Sequence, residues 1–382
     1  MAEHRDVFIV CNNFEELGGL QRWVHHIGRL FAERGHRVHL IGITHAERAH
    51  DYGSDLPYAT TVLYERRPAA KWQPRGALDR LNVPAQVRMA RRRAGMRRAA
   101  ARLSEIFRTG GPGSVVIAAQ VWAMEWVALA DTRGMTVIGM SHESYAATRS
   151  SSRYERVKTY FSGVDSFLVL TQEDADAWAA AGMSAAGAMP NPLHVHPERI
   201  SSLDEQVVVR LGRMSFEKGQ DLLLEAWAKV APRHPGWRLR LYGSGPDEAE
   251  IRALAGELGL TGSVEFPGPT DDLETALTGG SIFALSSREE GFPMSILEAM
   301  AYGLPTVAFD CAPGVRELIT HDVDGLIVHP GNTVKFAASL ERLMNDAGLR
   351  RSFGAAARAS VTRFAPHTVV DQWERLFTLL ER

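Results

Sequence analysis

The sequence predicts an α/β protein built from two successive doubly wound halves. Three observations carry this expectation: short apolar runs alternate with helix-patterned stretches, the alternation lapses once in a Pro-rich passage, and 382 residues exceed what a single core normally organises.

The first half opens with Asp6-Val-Phe-Ile-Val-Cys-Asn12, a short apolar run that reads as a strand. A polar loop ending in Gly18-Gly19 leads into a helical pattern with Trp23, Ile27 and Leu30-Phe31, and Arg37 to Ile43 is the next strand. The rhythm resumes at Ser114 to Ala119, Met135 to Met140 and Asp165 to Thr171, which calls for a parallel sheet wrapped by helices. At Gly187-Ala-Met-Pro190-Asn191-Pro192 the pattern breaks, and the chain stays polar to Glu205. The expected domains are therefore 1–190 and 191–365, with 366–382 a helix packing back on the first. The second series starts with strand Gln206 to Leu211 and a helix carrying Leu223, Trp227 and Val230. Strands Trp237 to Tyr242, Ser263 to Phe266, Ser281 to Leu285, Pro305 to Phe309 and Gly325 to Val328 follow. Ligands of such sheets bind beyond the carboxyl ends of the strands, so a site is expected in a cleft between the halves.

Composition narrows the function classes. No run of about 18 apolar residues is present, and Met1 to Asp6 is charged where a signal peptide needs an apolar core, so a cytoplasmic protein is expected. Cys11 and Cys311 give neither a disulfide framework nor a zinc spacing, and are expected to be two buried thiols. From Arg66 to Arg108 thirteen Lys or Arg face only Asp79 and Glu105, so this segment carries +11 and the remainder −13, within a total of −2. Met89, Met96 and Leu103, with Ala99, Ala100 and Ile106, mark one apolar stripe on an Arg-covered helix. The plain reading is a helix packed on the first sheet with a solvated basic face. The sharper one is contact with anionic lipid at the inner face of the membrane or with a polyanionic acceptor. Nucleic acid is not expected, because no nucleic-acid motif accompanies the charge.

Two motifs carry the chemistry. In Ser287-Arg-Glu-Glu290-Gly-Phe-Pro-Met-Ser-Ile-Leu-Glu298, a loop after a strand enters a helix. An ionised carboxylate is a pure acceptor suited to diols, so Glu290 in the loop can grip sugar hydroxyls and Glu298 in the helix a ribose. Between them Gly291, Phe292 and Pro293 lead to the backbone N–H groups of Met294, Ser295, Ile296 and Leu297, the unpaired donors of a helix start, which favour phosphate. In Gly212-Arg213-Met-Ser-Phe-Glu-Lys218-Gly219, Arg213 and Lys218 stand at the carboxyl end of a strand, where fixed cations stabilise a departing diphosphate. Asp271-Asp272 is adjacent rather than spaced, and Asp322 and Asp324 read as a turn, so the expected chemistry needs no metal and no cofactor beyond a nucleotide diphosphate sugar as co-substrate.

These two motifs, with Gly18-Gly19 in the first loop, resemble the family 4 retaining glycosyltransferases in order and place. The resemblance covers nearly the whole chain, although residues 45–135 offer no landmark to match. It implies the GT-B fold, two Rossmann-like domains facing each other across a cleft. It also implies transfer of a hexose or N-acetylhexosamine, most plainly from a UDP-sugar, to a glycan, lipid-linked or other acceptor. By the same resemblance Gly18 and Gly19 approach donor and acceptor, and Arg213 and Lys218 bind the diphosphate. Glu290 then holds the sugar, Glu298 the ribose, and His142 the sugar from the N-terminal side. Gly243, in Tyr242-Gly-Ser-Gly-Pro246, and Phe266, in Val264-Glu-Phe-Pro-Gly268, are similar to loops that close around the base. Phe309-Asp-Cys-Ala-Pro-Gly314, leading to Glu317, resembles members that use UDP-hexoses or UDP-N-acetylhexosamines in exopolysaccharide, lipid-linked glycan and teichoic-acid synthesis, but departs from their Cys-Pro-Thr-Gly form.

Two other functions fit the same fold: a nucleotide-sugar epimerase, which needs an acid/base pair acting on the ring, and an inactive nucleotide-sugar-binding scaffold. Singly, Gly18-Gly19 reads as a turn, Glu298 as a surface acid and His142 as a structural histidine. Gly243 and Gly245 lack the full dinucleotide fingerprint. Trp122 and Trp126, at helical spacing, read as core, with Tyr145 a third aromatic that could line an acceptor site.

Overall fold

Each apolar run in the sequence pairs only with runs of the same direction, and the outcome is two parallel sheets. The computed structural model describes residues 4–65, 68, 72 and 82–381. The chain divides into an N-terminal unit, Met1–Met189 with Val370–Arg382, and a C-terminal unit, Pro190–Val369.

Among the described residues the N-terminal sheet has seven strands: β1 (Asp6–Cys11), β2 (Arg37–Thr44), β3 (Ala59–Tyr64), β4 (Val115–Ala118), β5 (Thr136–Met140), β6 (Ser166–Val169) and β7 (Ala186–Ala188). They lie in the order β3-β2-β1-β4-β5-β6-β7, all parallel. The C-terminal sheet has β8 (Val207–Leu211), β9 (Arg238–Tyr242), β10 (Val264–Gly268), β11 (Ile282–Leu285), β12 (Thr306–Phe309) and β13 (Gly325–Val328). Its order is β10-β9-β8-β11-β12-β13, again parallel. In each sheet the order reverses beside the first strand, between β1 and β4 and between β8 and β11. The loops leaving those strands diverge there and open a crevice for ligands.

The elements follow from burial. Strands covered on both faces read as continuous apolar runs, and β11, Ile-Phe-Ala-Leu, is wholly buried. The helix Gly19–Glu33 buries Trp23, Val24, Ile27 and Phe31, one stripe at helical spacing, while Gln220–Val230 buries Leu223, Leu224, Trp227 and Val230. Trp227 sits with Leu239, Ile282 and Phe309 in the core of the C-terminal unit, and Trp126 with Phe167 and Trp178 in that of the N-terminal unit. Trp122 packs half-buried against Trp126, 4.7 Å between ring centroids, and Tyr145 against Trp178 at 5.0 Å. β3 and β7 are strands that periodicity does not announce. β7 is Ala-Gly-Ala, without β-forming side chains, and exists because the open edge of β6 pairs it.

The long helix Val83–Phe107 starts on Asn82, whose side chain accepts from the Ala85 N–H. It buries Met96, Ala99, Ala100, Leu103 and Phe107 against the N-terminal core. Of the basic segment 66–108, residues 66, 67, 69–71 and 73–81 lie outside the described residues. Arg91, Arg93, Arg97 and Arg98 are exposed, but Arg92 turns inward to 3.8 Å from the buried Glu125, which Arg156 also grips at 2.8 Å. The solvated basic face therefore excludes Arg92.

The final helix, Pro366–Leu379, starts within the C-terminal unit and from Val370 onward belongs to the N-terminal one. Phe31 meets Trp373 and Phe377 at 5.8 and 5.6 Å, Arg34 pairs with Asp371, and Arg5 reaches Glu381 at 2.7 Å. Trp373 is fully buried. Its replacement by alanine should cost about 3–5 kcal/mol in urea unfolding, the range for losing a buried aromatic. A change within experimental scatter would mean that this helix does not contribute to the N-terminal core.

Candidate active site

Two loops leave adjacent strands of the C-terminal sheet, one after β8 and one after β11, and their backbones are stitched together. Arg288 and Glu289 donate their N–H groups to the Glu217 carbonyl, at 2.8 and 3.4 Å. Gly219 has a left-handed backbone, φ +62°, and a Cβ there would fall 2.1 Å from the Ser286 carbonyl oxygen. Only glycine lets the loops approach this closely. The Arg288 guanidinium fastens the outer side, gripping Asp221 at 2.6 and 2.8 Å and lying 4.2 Å from the centre of the Phe216 ring.

This stitching brings Lys218 and Glu290 together. Lys218 Nζ donates to Glu290 Oε1 at 2.8 Å, and Ser287 Oγ donates to the same oxygen at 2.8 Å. Beneath them Arg210, one residue from the end of β8, is 1% exposed and donates to Ser287 Oγ at 3.0 Å and to the Lys218 carbonyl at 3.2 Å. Arg213 is exposed, and its carbonyl accepts from Gln220 Nε2 at 2.7 Å.

Beyond Glu290, Gly291 is half-buried, Phe292 packs on Phe364 at 5.6 Å, and Pro293 precedes the helix Met294–Ala301 without any side-chain cap. An uncapped start leaves first-turn N–H groups to serve an anion. Met294 and Ser295 are half-buried, whereas Ile296 and Leu297 are fully buried, and the Ile296 N–H donates to the Pro293 carbonyl at 2.9 Å, so that donor is not free for a ligand. Glu298 is 7% exposed rather than a surface acid, and its Oε1 lies 3.2 Å from His194 Nε2. His194 follows the Asn191-Pro192 break and is a residue that motif reading passed over, because a histidine in an irregular passage carries no periodic signal.

Gly243 belongs to the frame of the site. Its φ is +132°, and a Cβ would meet the Gly212 carbonyl oxygen at 2.1 Å, so glycine lets the loop after β9 rest on the one after β8. Phe266 stands on β10, two strands from β8, with the Arg252 guanidinium 4.5 Å from its ring centre. The aspartates weighed as metal ligands have local duties. Asp272 accepts from Thr275 N–H at 2.9 Å, Asp324 from Thr320 N–H at 2.7 Å, and Asp322 pairs with Arg342. Cys11 is a buried thiol, as expected, but Cys311 is only partly buried. Burial foremost, and the Glu290 charge after it, push the Cys311 thiol up to about 12.

Gly18, Gly19 and His142 belong to the N-terminal unit. Gly18 is extended and caps the helix Gly19–Glu33 without a side chain, and no atom of the described chain lies within 4 Å of a Cβ built at Gly19. Packing therefore does not require glycine at position 19. His142 follows β5, its ring 4.6 Å from that of Trp23, and its Nε2 is sealed from solvent with no hydrogen-bond partner. Burial pushes its pKa down to about 4.

Comparison with known proteins places these observations. Residues 196–360 match the family model of glycosyl transferases group 1. An exopolysaccharide phosphotransferase of Streptomyces coelicolor is 36% identical over 258 residues, covering 66% of this chain and 27% of that protein. An amylovoran biosynthesis glycosyltransferase of Erwinia amylovora is 28% identical over 234 residues, covering 58% and 65%. This chain thus spans about a quarter of the first relative and just under two thirds of the second. The lipopolysaccharide outer core galactosyltransferase WaaB superposes with a TM-score of 0.74 at 20% identity, covering 98% of this chain and 99% of that one. Anabaena HepE, solved in complex with UDP and glucose, superposes at 0.75 and 18% identity, covering 98% and 100%. The fold is GT-B.

The low pKa of His142 has a consequence for stability. In the unfolded chain this ring takes up a proton near pH 6.5, and in the folded protein only near pH 4. Stability should therefore fall as pH drops between those values, because the unfolded state binds the additional proton, while above pH 6.5 the residue has no such effect. His142→Phe should flatten that part of the curve in urea unfolding at stepped pH. An identical slope in both proteins would refute the assignment.

Proposed function

We propose that this chain, of which residues 196–360 match the family model of glycosyl transferases group 1, is a retaining glycosyltransferase. It takes a hexose or N-acetylhexosamine from a UDP-sugar and passes it to a hydroxyl of a glycan or lipid-linked acceptor. The observation that carries this reading is the pairing of Lys218 with Glu290 beside the uncapped helix start at Met294, at the switch point of the C-terminal sheet. A cation, a carboxylate and free backbone donors within one pair of loops suit a diphosphate joined to a sugar.

In this reading the helix start and Lys218, aided by Arg213, neutralise the diphosphate, Glu290 accepts from sugar hydroxyls, and Glu298 accepts from the ribose. By the family resemblance, Gly18, Gly19 and His142 are assigned to donor and acceptor as well. The bond from the anomeric carbon to the phosphate oxygen breaks as the acceptor oxygen bonds to that carbon on the same face. The acceptor proton passes to an oxygen of the departing diphosphate, so no protein nucleophile is used. Fixed cations take the part that a divalent ion plays elsewhere, which makes the reaction metal-independent. Nucleotide sugars are cytoplasmic substrates, and the enzyme is assigned to that compartment.

The experiment is calorimetry with UDP together with turnover of a UDP-sugar panel in EDTA. Glu298→Gln should weaken UDP binding by about 1–3 kcal/mol, the range for a charged hydrogen bond. Glu290→Gln should lose turnover while keeping UDP affinity, and Lys218→Ala or Arg213→Ala should lose about a hundredfold in kcat. Inactivation by EDTA that Mg²⁺ or Mn²⁺ reverses would overturn the metal-free reading, and unchanged UDP affinity in Glu298→Gln would overturn the ribose assignment.

The exposed Arg91, Arg93, Arg97 and Arg98 are assigned to an anionic partner, a lipid surface or a phosphate-bearing acceptor. No helix among the described residues is long and apolar enough to cross a membrane, so lipid contact would be peripheral. Co-sedimentation with vesicles containing anionic lipid should weaken with salt and on changing these four residues to Gln, by about 1 kcal/mol per cation. Binding indifferent to all three would exclude the membrane, and unchanged kinetics toward an anionic acceptor would exclude the alternative.

A further inference from the structure

Arg210 is out of place by ordinary packing. Its neighbours in β8 are Val207, Val208, Val209 and Leu211, and a strand buried on both faces favours apolar side chains throughout. A guanidinium 1% exposed loses the hydration of a full charge, which costs several kcal/mol unless the surroundings replace it. The surroundings replace it unevenly. Nη1 donates to the Leu211 carbonyl at 2.5 Å and Nη2 to the Lys218 carbonyl and Ser287 Oγ, while the buried Nε has no partner. Among the described residues no carboxylate pairs with it directly. Burial pulls its pKa below the usual guanidinium range, and the charge on Glu290 opposes that pull. The charged or titratable groups gathered here are Arg210, Lys218, Glu290 and Cys311, the last kept neutral by its raised pKa.

The contacts form a relay. Ser287 Oγ accepts from Arg210 and donates to Glu290 Oε1, while the same guanidinium nitrogen that reaches Ser287 also holds the carbonyl of Lys218. One buried side chain thus grips both loops from beneath, at the two points that set the Lys218 ammonium and the Glu290 carboxylate.

We propose that Arg210 is a positioning residue for Glu290 and Lys218, acting through Ser287 Oγ and the Lys218 carbonyl, and remains the fixed cation near Glu290 once Lys218 turns to the donor phosphates. The proposal rests on the reading of Glu290 as the sugar-binding carboxylate and Lys218 as a diphosphate ligand. Lys218 is the outer partner, with its side chain 27% exposed, and a diphosphate would draw its charge off Glu290. Arg210 cannot follow, because its guanidinium is enclosed by the strand end and the two loops. A carboxylate left without a nearby cation in a half-buried site would be displaced from its sugar contacts or neutralised.

The test is a double-mutant cycle on the full chain with Arg210→Met and Ser287→Ala, read by kcat, by KM for the donor and by UDP affinity. Each single variant should lose about tenfold to a hundredfold in kcat, the effect of a reacting group held loosely. UDP affinity should stay near that of the parent in Ser287→Ala and fall in Arg210→Met, which also releases the Lys218 carbonyl. The double variant should be little worse than Arg210→Met, since the Ser287 contact is already lost there. Arg210→Lys, which keeps the charge but loses the fork, should recover part of the lost kcat. Additive losses, an unchanged kcat, or UDP affinity falling in step with turnover in Ser287→Ala would overturn the proposal. Should Arg210→Met fail to fold, Arg210→Lys and Ser287→Ala form the cycle, with a smaller single loss expected of Arg210→Lys and the same non-additivity. If the parent turns over no UDP-sugar, the proposed function fails. The same cycle read on urea unfolding and on hydrogen exchange of the 215–219 and 286–290 loops then still decides whether Arg210 acts through Ser287, with additivity there counting against it.

Discussion

The contact on which the C-terminal unit depends is the one between the backbone at Gly219 and the Ser286 carbonyl. There the loop after β8 lies on the loop after β11 with no space for a side chain between them. That contact sets Lys218 beside Glu290. Lys218 precedes the contact and Glu290 follows it by four residues, so neither side chain has to reach far to meet the other. A pair of adjacent parallel strands supplies the geometry at little cost, because their loops leave the same edge of the sheet at the reversal of strand order.

Electrostatics in this region are those of partly enclosed charges, each tied to a specific acceptor or donor. Lys218 and Ser287 converge on one oxygen of Glu290, and Arg210 supports them from the sheet. Glu298 is held separately, on the helix Met294–Ala301, by His194. Two carboxylates eight residues apart therefore keep distinct partners, and the uncapped helix start lies between them.

The N-terminal unit is organised around aromatic packing. Trp23 backs His142, Trp126 donates from Nε1 to the Tyr64 hydroxyl at 3.2 Å, and Trp373 closes the core against Phe31. Its long basic helix divides its arginines by the same packing. Arg92 is drawn to the buried Glu125, whereas Arg91, Arg93, Arg97 and Arg98 remain in solvent. A charge count along the sequence weighs all five alike, and only the direction of each side chain separates them.

By itself the sequence determined the alternation of strands and helices, the parallel sheets, and the placing of Lys218 and Glu290 in loops that follow strands and of Glu298 in the helix beyond. Apolar periodicity and the glycines at loop entries are local properties of the chain, and they suffice for those conclusions. β7 was not legible, because an edge strand owes its existence to the neighbour that pairs it and Ala-Gly-Ala carries no propensity of its own, whereas β3 was passed over although Thr-Thr-Val-Leu-Tyr is rich in strand formers. Arg210 was visible as a cation inside an apolar run, yet its duty was not, since Ser287 and Lys218 reach it only after β8 and β11 pair. The same holds for His194, 104 residues before Glu298 in the chain and 3.2 Å from it in space. Tertiary structure decided which charges meet, because a hydrogen bond depends on positions within tenths of an ångström that no spacing along a sequence specifies.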